Sequence, residues 1–81
     1  MSLQFLIDDI CANIKPEFLY ALIETRLKDG SFHLNEVVPE IQAKDRSLDF
    51  ESAKQIAEAA LVEMVDRGEL RVEGEFVVPA E

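Results

Sequence analysis

Tryptophan is missing from this 81-residue chain, and histidine, cysteine and tyrosine occur once each. The lone Cys11 excludes an intrachain disulfide and a thiolate metal cage built from this chain alone. The lone His33 excludes a multi-histidine metal site and leaves no partner for a histidine dyad, so no catalytic residue, metal or cofactor is expected. Glycine is scarce and scattered: Gly30, Gly68 and Gly74 each suit a helix end or a turn, and none builds a phosphate-cradling loop. Basic residues are few as well. Eight Lys and Arg stand against 17 Asp and Glu, a formal charge of −9 that repels phosphate and anionic membranes. No apolar run approaches the length of a membrane span. The opening Met1-Ser2-Leu3-Gln4-Phe5-Leu6-Ile7-Asp8-Asp9 has no basic start and is broken by two aspartates, a poor secretory signal. A cytoplasmic protein that is not an enzyme is the expectation.

What is present is enough apolar material to fold. Hydrophobic residues are 48% and charged ones 31%, a globular composition rather than that of a disordered acidic tail. Leu3, Leu6, Ile7, Ile10, Cys11 and Ile14 recur at helical spacing and predict a first helix over residues 1–15, with Cys11 as a small core residue. Pro16 ends that helix and suits the first position of a second, which runs to about Lys28 with Phe18, Leu19, Leu22, Ile23 and Leu27 inward. Ser31 to Leu34 reads as a short strand with His33 outward. Asn35 is a good N-cap for a third helix presenting Val37, Val38 and Ile41, with Pro39 making its first turn irregular.

The clearest pattern begins after Asp49, another good N-cap. Ala53, Ile56, Ala57, Ala60, Leu61, Met64 and Val65 mark one face of a long helix from Phe50 to about Arg67, closed by Gly68. The period then shortens: Leu70 and Val72 alternate with Arg71 and Glu73, Gly74 turns the chain, and Phe76-Val77-Val78 returns it as a hairpin. These signals predict a single mostly helical α+β domain over residues 1–81. From Phe18 to Val78 the order helix, strand, short helix, long helix, hairpin resembles the winged-helix superfamily, with Gly30, Gly68 and Gly74 at the corresponding turns. The resemblance implies a winged-helix-like core over residues 16–79 with an extra N-terminal helix. It also implies that the long helix is the surface that reads a partner and the hairpin the wing, in a superfamily that includes both DNA binders and protein–protein modules.

Charge separates those two uses. A DNA reader needs Arg, Lys, Asn or Gln along its long helix. Here Asp49, Glu51, Lys54, Gln55 and Glu58 occupy that stretch, and the hairpin surrounds Arg71 with Glu69, Glu73 and Glu75. Each missing cation removes counterion release. The favoured function is therefore an interaction module in a regulatory or assembly complex. Asp49, Glu51, Lys54, Gln55, Glu58, Arg71 and Glu73 are the candidate contacts to a basic protein partner. The alternative is a DNA-binding transcriptional regulator using Arg46, Lys54, Gln55 and Arg71. Leu3, Ile7, Ile10 and Ile14, spaced four, three and four, form a seam that either covers the chain's own core or serves a homodimer. The first use is favoured because a small domain needs all its apolar surface. The pairs Asp8-Asp9, Glu36/Glu40 and Glu73/Glu75 read as solvated charge.

Overall fold

A computed structural model describes residues 3–80; positions 1, 2 and 81 of the expected first helix and single domain lie outside the described residues. The elements are α1 (Leu3–Ile10), α2 (Pro16–Leu27), β1 (Phe32–His33), a 3-10 turn (Leu34–Glu36), α3 (Val38–Lys44), α4 (Phe50–Asp66), β2 (Leu70–Glu73) and β3 (Phe76–Pro79). The chain is thus α+β and mostly helical. Its three strands form one antiparallel sheet in the order β1-β3-β2.

The first helix is shorter than its periodicity predicts. It ends at Ile10, and Cys11 takes a left-handed φ of 63°. The amides of Cys11 and Ala12 then bond back to Asp8 and Ile7, a closure that helices adopt when the chain must turn away. Cys11 is consequently exposed, which corrects its expected core role. Downstream, Pro16 starts α2, and Lys15 before it is extended, with ψ at 145°. The five residues from Cys11 to Lys15 link the two helices, and Ile14 among them is buried in the core from outside any helix.

In α2, Leu19 and Ile23 are buried while Phe18, Leu22 and Leu27 pack half-buried against the core. Asn35 does not cap the third helix. The 3-10 turn ahead of α3 is capped by His33 instead: its Nδ1 accepts from the Asn35 amide at 3.1 Å, while Glu36 accepts from the His33 amide at 2.9 Å. Pro39, which has no amide to bond, then falls in the first turn of α3. Val37, Val38 and Ile41 point inward as expected. Glu36 and Glu40 are more than solvated charge, because Arg26 reaches both from α2, with Nη2 2.6 Å from Glu40 and Nη1 3.4 Å from Glu36.

Asp49 caps α4 through Oδ1, which accepts from the Ser52 amide at 2.8 Å. This bond holds the Asp49 carboxyl below its ordinary range. The face of α4 made by Ala53, Ile56, Ala57, Ala60, Leu61 and Met64 is buried. The helix is the centre of the molecule, touching α1, α2, α3, the 3-10 turn and β2. Its alanines present no bulk to the helices that cross it. Leu48, in the link between α3 and α4, is buried as well.

One residue of the expected inward face is open. Val65 is exposed, because the chain leaving α4 folds back beside Met64, where the Glu69 amide bonds to the Met64 carbonyl at 3.0 Å. Gly68 makes that reversal at φ 77°. The hairpin therefore covers the Leu61 and Met64 side and stops short of Val65.

Candidate groove between the long helix and the hairpin

The returning strand β2 runs antiparallel to α4. Leu70 lies beside the C-terminal end of the helix, and the hairpin tip is tied to its N-terminal half by Lys54, whose Nζ is 3.7 Å from Glu75. Between the two lies a groove of about 330 Å³. Leu34, Leu61, Val62, Val65 and Val72 form its apolar floor and walls. Val62, Val65 and Val72 are 59%, 41% and 43% exposed, so three valines meet water in one place. Exposed valines gathered in one concavity and rimmed by charge make a candidate contact surface, whereas single exposed valines mean little.

The rim is acidic. Glu58 and Asp66, one at each end of the helical wall, and Glu75 at the tip line the groove. Glu75 is partly neutralised by Lys54. Glu58 and Asp66 have no ion pair or side-chain hydrogen bond among the described residues, so their charge faces solvent uncompensated.

The sheet adds a second feature. The hairpin pairs Glu73 with Phe76, Val72 with Val77, and Arg71 with Val78, across a two-residue turn at Gly74 and Glu75. Hydrogen-bonded and non-bonded pairs alternate along an antiparallel ladder. The Glu75 carbonyl accepts from the Leu34 amide at 2.9 Å, and Val77 pairs with Phe32, so those β3 positions direct their backbone groups toward β1. The alternate positions Phe76 and Val78 must then bond to Glu73 and Arg71. By the same parity, the amide and carbonyl of Val72 point away from β3. They point to the open edge of the sheet, at the lip of the groove.

The expected contact residues do not all meet there. Glu58 lines the groove and Lys54 braces its tip. Asp49 is occupied as a cap, while Glu51 and Gln55 are exposed outside the groove lining. Arg71 and Glu73 pair with each other at 3.5 Å and alternate with Val72, so they occupy the opposite face of the sheet. Leu3, Ile7 and Ile14 are buried in the chain's own core, and Ile10 packs half-buried against it. Sequence reasoning missed Val62 and Asp66 and placed Val65 inward. The available signal was Val62 itself, an aliphatic residue off the buried stripe with an acid four positions away on either side.

A polar cluster elsewhere has a structural role. Glu63 accepts from the Leu3 amide at 2.6 Å and from the Tyr20 hydroxyl, and the Arg67 guanidinium stacks over the Tyr20 ring, 4.6 Å from its centre. The Tyr20 hydroxyl and the Leu3 amide hold the Glu63 carboxyl below its ordinary range. Burial, followed by the bond to Glu63, pushes the Tyr20 hydroxyl up. Glu63 thereby fastens α1 and α2 to α4. Among the described residues no group of His, Cys, Asp and Glu is placed to hold a metal ion, and no helix is long and apolar enough to cross a membrane. Comparison of the chain with protein-family models, curated proteins and solved structures found no match.

Proposed function

We propose that this chain is a winged-helix-like interaction module whose groove between α4 and β2 docks a basic segment of a partner protein. The carrying observation is the coincidence of three exposed valines with the uncompensated acids Glu58 and Asp66 in one concave site. Apolar area supplies the affinity of such a contact, and the acidic rim supplies steering and selection. Charge weighs against the DNA-binding alternative. Of its candidate contacts, Lys54 faces Glu75 and Arg71 faces Glu73. Contact of Lys54 or Arg71 with phosphate would compete with these pairs, and any contact would form inside a field of −9.

The test is selection of twelve-residue peptides from a displayed random library against the folded chain, with a titration of labelled duplex DNA at low salt beside it. Enrichment of peptides that combine Lys or Arg with aliphatic residues, and whose binding is lost on Val62→Glu, is expected. DNA binding without peptide enrichment would overturn the reading in favour of the regulator. Selected peptides indifferent to Val62→Glu would overturn the groove as the site.

A further inference from the structure

The free edge of β2 and the groove beside it specify the conformation of the occupant. Resting on the docking function above, we propose that the partner segment binds as an added strand on β2, with the pattern basic, any, aliphatic, any, basic. Three observations converge on this. The first is that the amide and carbonyl of Val72 point out of the sheet with no partner among the described residues, at the lip of the groove. An extended chain laid along β2 pairs with both, and a helix in the groove with neither.

The second is spacing. Glu58 and Asp66 stand eight positions apart on α4, about 12 Å along its axis. In an extended segment, side chains at positions one, three and five share a face, and the outer two are ~13 Å apart. Two cations at those positions therefore reach Glu58 and Asp66 together. The residue midway between them is directed at Val62, Leu61 and Val65, so it must be apolar. On a helix the same reach requires cations about eight positions apart.

The third is volume. About 330 Å³ accommodates the inward aliphatic side chain of such a strand. A second copy of the chain is disfavoured as occupant, because edge-to-edge pairing would bring two molecules of charge −9 together with their Glu58 and Asp66 side by side. Edge strands that avoid self-pairing carry charge in this way while remaining open to a complementary strand.

The experiment uses the peptides selected above. Expected are cations spaced four apart around an aliphatic residue, and loss of about tenfold in affinity when a single amide facing Val72 is N-methylated, the cost of one hydrogen bond. N-methylation of the neighbouring amides, which face solvent, should change affinity less than about twofold, within the range of a neutral contact. Exchange of the Val72 amide with solvent should slow on binding. On the protein side, Val72→Pro removes the outward amide without touching the ladder to β3. It should weaken binding while circular dichroism stays unchanged; if that variant misfolds, the peptide N-methyl series decides alone. Selected peptides that need Val62 but carry cations seven or eight apart and tolerate every N-methylation would overturn the strand and leave the docking function standing. Failure to select any groove-dependent peptide would overturn both.

Discussion

Cys11 is the only non-glycine described residue with positive φ, and it holds that conformation to end α1 before the link to Pro16. A side chain in the left-handed region costs ~1–2 kcal/mol, of which the greater freedom of glycine in the unfolded chain returns part. Cys11→Gly is therefore expected to stabilise the fold by about 0.5–1 kcal/mol in urea denaturation, the reverse of what glycine does in a helix. Glu63 yields a pH-dependent effect. Its folded carboxyl lies below the ordinary range, so its stabilising contribution is complete above the unfolded value of about 4 and is lost as pH falls through the folded one. Glu63→Gln should lower stability at neutral pH. The difference from wild type should then shrink as the pH is taken below about 4, which denaturation curves at a series of pH values would show.

At the scale of elements, α4 has two apolar faces with different work. The buried face holds the domain together. The exposed pair Val62 and Val65 contributes little to folding because water reaches both side chains. Ile56→Ala should cost about 2–5 kcal/mol through loss of buried methyl groups and the cavity left behind. Val62→Ala should stay within about 0.5 kcal/mol of wild type in the same measurement, yet weaken capture of the selected peptides. A large loss of stability from Val62→Ala would show that its side chain is part of the core. The hairpin has a similar division, with Leu70 and Val77 buried while Val72 is left to the groove.

At the scale of the molecule, charge −9 makes copies of the chain repel one another, and α1 packs on its own core. Ile10 packs half-buried against the core rather than standing on a free seam. Ile10→Asp should melt earlier, since it places a charge where apolar surface is covered. Both wild type and variant should sediment as monomers. A wild-type dimer that the substitution turns into an equally stable monomer would reverse this assignment of the helix. Added salt should raise the melting temperature of the wild type by screening its self-repulsion.

Elements whose causes are local can be read from the residues alone. The period of α4, the caps at Asp49 and Gly68, the proline start of α2 and the hairpin at Gly74 all follow from residues within one or two turns of each other, which is why they were legible. Tertiary structure decided whatever depends on what lies opposite. Periodicity extends α1 through Cys11 to Ile14, but the helix closes at Ile10, and Ile14 reaches the core from the link instead. Val65 belongs to the apolar stripe by spacing and to the groove by position, because the hairpin folds toward Met64 and leaves it open. The acids divide in the same way. Glu36, Glu40 and Glu63 have partners from distant segments, Asp49 has its own helix end, and Glu58 and Asp66 have none among the described residues, a distinction that seventeen similar carboxylates along a sequence do not carry. Local residues fix backbone conformation through short-range sterics and hydrogen bonds, whereas the groove, its open strand edge and its unpaired charge exist only once α4 and the hairpin lie side by side.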